Sequence, residues 1–349
     1  MLFSTLFLSC TSLNTKKQVN FELKPKQANE FSVMGMNVEN LFDEIHDENK
    51  NDFTYLPLTD KKNKNVIDFC EQEKISYRRN ECFNLNWDSN LVEFRLNQIA
   101  QVISSVDGCP DHVMLIEVEN QKILHRLNEK LPQCKYITEV LIEGNDDRGI
   151  DIAFLSRYEK SAEPQLISLE LKSLDHKEQE IMNKLRGLLI IPLKTPDGIP
   201  LTFIGAHLPS QNNPRDWRRQ SVQQLKKTLT ELNASTNIIA LGDFNISADE
   251  DQETGFITKE LASLGQISHL VGCYHCDGSH FYKQSWSFLD LILSGIKNKE
   301  IQIVSDSITT IKTPINSDQY GRPLRFNAEK KLGVSDHLPL FARFRMVKK

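Results

Sequence analysis

Carboxylates, carboxamides and imidazoles recur in this chain directly after short apolar runs. Asn37 and Glu39 flank Val38 behind the run that opens at Phe31. Glu117 follows Leu115-Ile116, and His207 follows a run over 201–206. Asp243 and Asn245 stand in Gly242-Asp243-Phe244-Asn245, directly after the run over 238–241, and Asp336 and His337 lie together in Ser335-Asp336-His337. Asp290 differs in kind, because it sits inside the apolar stretch 288–293, where an unpaired charge would be costly. These are the groups that phosphodiester hydrolysis requires. The non-bridging oxygens need a cation, the attacking water needs a group to orient or deprotonate it, and the departing oxygen needs stabilisation. Singly the motifs are weak, since Gly-Asp-x-Asn is usually only a turn and Ser-Asp-His a cap or surface loop. Their joint occurrence, in this order and behind strand-like runs, is far more specific.

Strand ends are rigid enough to hold such groups in place. The β-branched runs over 150–155, 188–193, 201–206 and 238–241 predict buried strands, and further strands are expected at 31–37, 113–116, 289–293 and 339–344. Apolar residues at helical spacing predict a helix over 92–106 that stops before Gly108 and Pro110. The longest helix is expected over 214–232, with Asn213 as N-cap and Pro214 in its first position. The stretch 43–79, dense in Asp, Asn and Lys, reads as a long surface excursion. Many strands mixed with few helices predict an α/β protein of packed sheets with helices outside. No repeat or linker interrupts 31–346, so a single catalytic domain is expected there.

On these motifs the chain resembles the endonuclease/exonuclease/phosphatase superfamily, the fold of pancreatic-type deoxyribonuclease and of the abasic-site endonucleases, over nearly all of 31–346. The opening Asn-Val-Glu-Asn-Leu-Phe-Asp at 37–43 and Arg-Gly-Ile-Asp at 148–151 are similar to those of bacterial members. The resemblance implies a four-layer α/β sandwich with its site at one rim, and a metal-dependent phosphodiester hydrolase. It implies Glu117 as the principal ligand to Mg²⁺, with Mn²⁺ as the alternative ion, Asn37 and Glu39 beside it, and Asp336 completing the shell. Asp243 would orient and activate the water, and Asn245 would hold the phosphate or that water. His337 would bond the phosphoryl oxygen or serve as base, with Asp290 accepting its other N–H and favouring the charged ring. His207 matches the family's second histidine, next to the leaving group. Arg148, Asp151, Arg215 and Arg218 are expected as substrate contacts. Arg148 could clamp a phosphate bidentately, or neutralise Asp146 and Asp147. The basic, aromatic helix start at 215–219 could meet a nucleic-acid backbone, or be a solvated turn with Trp217 on the core. Tyr282 and Trp286 read as core aromatics.

The formal net charge of −5 is nearly silent about substrate, since a local basic rim or a bound cation can supply the field a phosphate needs. The leading expectation is a nuclease acting on DNA or RNA as a monomer. One alternative is a phosphoesterase of the same fold acting on an inositol phosphate or phospholipid head group, for which no dense Lys/Arg cluster or apolar hairpin stands out. Another is an inactive binding module, but such modules usually lose Gly-Asp-x-Asn or Ser-Asp-His and this chain keeps both. Residues 1–9 are apolar and end at Cys10, similar to a bacterial lipoprotein signal, although the run is short and no Lys or Arg precedes it. Residues 1–10 are therefore expected as a leader with a lipid anchor at Cys10, and 11–30 as a tether. The expected location is the periplasm, the outer surface or the medium. No later stretch is long enough for a membrane-spanning helix. Cys70, Cys82, Cys109, Cys134, Cys273 and Cys276 form an even set that fits disulfides, and Cys273-Tyr274-His275-Cys276 lacks the second CxxC of a zinc site.

Overall fold

In the computed structural model, residues 23–232 and 236–347 are described. Strands β1 (Glu30–Leu41), β2 (His112–Val118), β3 (Thr138–Leu141) and β4 (Asp151–Ser156) begin one sheet. Strands β5 (Gln165–Ile167), β6 (Leu188–Lys194), β7 (Pro200–His207), β8 (Asn237–Asp243) and β9 (Gly265–Ile267) build a second. A separate hairpin, β10 (His280–Tyr282) and β11 (Ser285–Ser287), precedes β12 (Asp290–Gly295), which returns to the second sheet, and β13 (Ile301–Thr310) and β14 (Leu340–Met346) complete the first. The two six-stranded sheets run β13-β14-β1-β2-β4-β3 and β5-β6-β7-β8-β12-β9. Both are mixed: β1 and β2 are parallel, as are β7 and β8, among otherwise antiparallel pairs.

Three apolar cores make four layers of this arrangement. Phe31, Val33, Met114, Ile116, Phe203, Ile239, Leu241, Ile292 and Leu340 seal the sheets against each other. Met34, Met36, Val38 and Leu115 face the other way, onto the helices Ser89–Ser104 and Gln121–Glu129. Ile204, Ala206, Ile238, Ala240 and Leu291 likewise meet the helix Arg215–Leu232. A strand covered on both faces reads as a continuous apolar run, which is why the central strands were visible in the sequence.

Two predicted segments differ. Residues 43–79 are not a bare excursion. Helices Lys64–Gln72 and Ser76–Asn84 pack Val66, Leu56, Cys70 and Cys82 into a small satellite core, closed by the Cys70–Cys82 disulfide. Few apolar residues at no clear period hid it, and the crosslink supplies what the core lacks in size. The expected tether also ends sooner. Lys24 pairs with Asp306 at 2.8 Å, Lys26 pairs with Asp111 at 2.8 Å, and Arg343 donates to the Lys24 carbonyl at 2.5 Å. Cys10 and the expected leader lie outside the described residues.

His112, fully buried at the start of β2, packs its ring edge against Phe31 and Tyr158 and bonds Ser156 Oγ through Nδ1 at 2.9 Å. Burial pushes its pKa down to about 3, with Arg157 and Lys26 adding and Asp111 opposing. The unfolded chain therefore takes up this proton first. The contribution is intact above about pH 6.5 and is lost as pH falls toward 3. Between pH 6.5 and 5 the loss should be about 2 kcal/mol. A His112→Gln variant should lose about that much less over the same interval, as read by urea unfolding at the two pH values.

Candidate active site

Each core row between the sheets runs apolar, apolar, then polar. On β1 the alternating positions are Phe31, Val33, Gly35 and Asn37; on β7 they are Leu201, Phe203, Gly205 and His207; on β8, Ile239, Leu241 and Asp243. Strand β12 runs the opposite way and begins on Asp290, two residues before the core residue Ile292. Pairing puts His207 opposite Asp243 and Asp243 opposite Asp290, so three side chains line up across one rim. Glu117 reaches the same rim as the extra residue of a bulge in β2 against β4, at φ 71°. Positive φ at Glu39, Asn40 and Asn245 adds further local strain there, the kind that surrounding structure must hold in place. Gly242 is obligatory: at φ 141° a Cβ would stand 2.0 Å from the Ala206 carbonyl oxygen.

The polar ends meet. His337 Nδ1 lies 2.7 Å from Asp290 Oδ2, and its Nε2 is 3.8 Å from Asp243 Oδ2. Asn37 Nδ2 donates to Asp243 Oδ2 at 3.2 Å. His207 Nε2 stands 3.8 Å from Glu117 Oε1 and 3.9 Å from Asp243 Oδ2. Ser335 ties the two chain ends together, donating from Oγ to the Asn37 carbonyl at 2.7 Å and accepting the His337 N–H at 3.1 Å. Asn245 is fixed beside them, its N–H on Asp243 Oδ1 at 2.9 Å and its Nδ2 on the Leu208 carbonyl at 3.1 Å.

Charge is divided between the histidines. Burial alone would depress His337, but Asp290 and Asp243 outweigh it and hold the imidazolium well above its ordinary range. Burial pushes His207 well down, and Arg186, Arg148 and His337 push the same way, so this ring is neutral. Burial also raises Asp243 to about 7, with His337 opposing and Asp290 and Glu117 adding.

The model of the Endonuclease/Exonuclease/phosphatase family matches residues 80–346. This chain belongs to that family. Among solved structures it is similar to an endonuclease/exonuclease/phosphatase family protein from Bacteroides thetaiotaomicron, at 17% identity and TM-score 0.57 over 92% of this chain and 99% of that one. A mannosyl-6-phosphatase from the same organism aligns at 17% identity and TM-score 0.54, covering 91% and 100%. A humanized D. rerio TDP2 aligns at 16% and 0.53, covering 91% and 100%. At such identities these likenesses show the fold alone. No curated protein sequence matches this one.

Endonuclease/exonuclease/phosphatase enzymes typically use divalent metals, and the donors at this rim fit one. Glu117 Oε2 accepts the Asn40 N–H at 3.1 Å, whereas among the described residues Oε1 has only His207, beyond bonding range at 3.8 Å. Among the described residues no three His, Cys, Asp or Glu side chains gather as a metal cage. The Glu117 and Asp290 charges that help raise Asp243 are what a cation would offset.

Glu39 departs from the expected ligand set. Its carboxylate is taken up by Arg325 Nε, the Phe326 N–H at 3.2 Å and the Asp336 N–H at 3.0 Å, so it clasps the 325–336 segment instead of standing open beside Glu117. Burial raises it to about 7, Asp336 adding and Arg325 opposing. Asp336 is held on this clasp by its backbone. Arg95 was missed in the sequence. Fully buried on the helix Ser89–Ser104, it donates to the carbonyls of Val38, Glu39 (2.8 Å) and Val334 (2.5 Å), and so joins the end of β1 to the segment carrying His337. Its signal was a charge inside the apolar stripe Val92, Leu96, Ile99.

The expected substrate contacts separate. Arg148, half exposed, stays at the rim near Asp146 at 3.7 Å, and the same carboxylate holds Arg186 Nη2 at 3.0 Å. Arg186 was also missed, and nothing marked it beyond a charge just ahead of a buried run. Asp151 does not stand open at the rim: it is buried at the start of β4, accepts the Gly144 N–H at 2.8 Å, and is raised by burial to about 6. Arg215 makes a surface pair with Glu253 at 2.7 Å. Arg218 does not face outward either. It lies buried against Glu250 at 2.9 Å and donates to the Ser210 carbonyl at 2.7 Å, because the helix turns it inward. Arg218→Met should cost about 3 kcal/mol by taking from buried Glu250 its nearest cation, leaving only the Gln211 amide at 3.4 Å and Arg215 at 3.8 Å. Urea unfolding checks this, while the activity of the fraction still folded should be unchanged.

Proposed function

We propose that this protein is a divalent-metal-dependent phosphodiesterase whose favoured substrate is a nucleic-acid strand. The observation that carries the reading is the convergence of Asn37, Glu117, His207, Asp243, Asn245, Asp290 and His337 at one rim, with His337 2.7 Å from Asp290 and Asn37 3.2 Å from Asp243. Asp243 orients the attacking water and receives its proton, with Asn37 and Asn245 fixing the carboxylate. His337, held charged by Asp290, donates a hydrogen bond to a phosphoryl oxygen. Neutral His207 stands beside the departing oxygen, and Arg148 with Arg186 faces the phosphate's remaining charge. A bound Mg²⁺, held chiefly by Glu117 with Asn37 near it, would supply charge neutralisation at the phosphate.

A phosphomonoester reading has one observation in its favour: the Arg148–Asp146–Arg186 group sets extra positive charge next to the centre, where a dianion would be welcome. Incubation with plasmid, single-stranded DNA, RNA and a sugar phosphate, each with Mg²⁺ and with EDTA, tests the two. Metal-dependent strand cleavage is expected. Release of inorganic phosphate from the sugar phosphate, with every strand intact, would overturn the nuclease reading. Export is part of the proposal. The pairs Cys70–Cys82, Cys109–Cys134 and Cys273–Cys276 suit an oxidising compartment and support it alongside the Cys10 motif.

A further inference from the structure

The β10–β11 hairpin is built into the site from both ends. The Ser279 carbonyl accepts the Leu338 N–H at 2.7 Å, Ser279 Oγ accepts the Asp290 N–H at 3.1 Å, and His280 bridges to His337 as an isolated strand pair. The His280 ring lies 4.9 Å from that of His337, centroid to centroid. Two residues on, and on the same face of β10, Tyr282 continues the line at 6.3 Å from His280. Tyr282 was read from sequence as core, yet it is 63% exposed. Rings therefore lead outward from the catalytic imidazole to an open aromatic surface.

Two further observations single out this tip. The turn that ends β10 is Lys283-Gln284, at φ 46° and 66°. Two-residue hairpin turns of this kind favour Asn-Gly, because positive φ is strained for other side chains. Strain kept at a site's edge is an argument for a role there. The turn also sets Lys283 Nζ 5.2 Å over the Tyr282 ring, and that ammonium has no carboxylate partner among the described residues. On the opposite face Phe281 and Trp286 pack at 5.1 Å, with Arg322 and Lys312 over them, which stiffens the hairpin as a support.

We infer that Tyr282, backed by His280 and flanked by Lys283, is a stacking platform for a nucleobase of a single strand, next to the phosphate held at His337. The inference rests on the nuclease reading and deepens it. A base stacks on an aromatic face whatever its sequence, here taking the place of the Lys283 ammonium over the ring, and that ammonium, without a carboxylate partner among the described residues, suits the adjoining phosphate. Duplex DNA keeps its bases inside, so the platform selects unpaired strands or ends.

The test uses the full chain with Mg²⁺ in an Asp243→Asn background and two fluorescein-labelled strands of equal length, oligothymidylate and the same backbone with abasic residues. Anisotropy should show the thymidylate strand held about five- to tenfold tighter. Tyr282→Ala should remove that preference and Tyr282→Phe should keep it. Equal affinity for the two strands before any change at Tyr282, or a preference that survives Tyr282→Ala, overturns the platform. The nuclease reading is judged separately, by whether the enzyme with Asp243 intact cuts either strand.

Discussion

Asp243→Asn should turn over a nucleic-acid strand about a thousandfold more slowly than the parent enzyme, with little change in KM. Asparagine keeps the shape and one acceptor oxygen, so it can take either the Asn37 amide, 3.2 Å from Asp243 Oδ2, or the Asn245 N–H, 2.9 Å from Oδ1, but not both. What it loses is the capacity to take a proton from water, a contribution worth about 10²–10⁴ in rate. Burial raises Asp243 to about 7, so the neutral replacement relieves that cost while leaving one donor unmatched, and thermal stability should change little. His337→Ala should be damaged to a similar extent, and the double variant should be little worse than either single one. His337 Nε2 stands 3.8 Å from Asp243 Oδ2, and groups that act as a unit are not additive. Single-turnover kinetics on a labelled strand gives the numbers. Unimpaired cleavage by both single variants would remove the basis of the assignment.

The second large effect concerns the cation. Glu117→Gln should raise the Mg²⁺ concentration for half-maximal rate at least about tenfold, with much of the rate recovered at saturating metal. The carboxylate oxygen that points away from Asn40 has no bonded partner in the described residues, so its charge serves little else. Calorimetric titration of Mg²⁺ into the unreacted protein provides an independent reading, which should weaken in parallel. An unchanged Mg²⁺ requirement in the variant would place the cation elsewhere.

The sequence revealed most where physical chemistry is local. The alternation on β1, β7 and β8 ends in Asn37, His207 and Asp243, and apolar runs closed by a polar group can be seen without knowing their partners. Asp290 was legible for the opposite reason, as a charge that had to be paired. What escaped depends on distant partners. Whether Arg218 is buried turns on Glu250, 32 residues beyond it in sequence, and the fate of Glu39 turns on Arg325, 286 residues away. Strands β10 and β11 are three residues each, too short to show a period. The helices at 64–84 are amphipathic mainly through Cys70, Cys82 and a few aromatic side chains, which looks like a loop until the disulfide is known.

The pleat under Asp243 makes the enzyme unequally tolerant of insertions and deletions. Side chains on β8 alternate between the sheet interface and the helix Arg215–Leu232. One extra residue between Asn237 and Leu241 would turn Asp243 toward that helix, put Gly242 in its place at the mouth of the site, and bring Leu241 to the position where a Cβ meets the Ala206 carbonyl. Two extra residues would restore its orientation while moving it past its partners on β7 and β12. By contrast, the β6–β7 turn at 195–199 lies at the far end of both strands from His207, and could lengthen without disturbing the frame. Natural variants of this protein should therefore differ in length at such turns and keep every strand that enters the rim in phase.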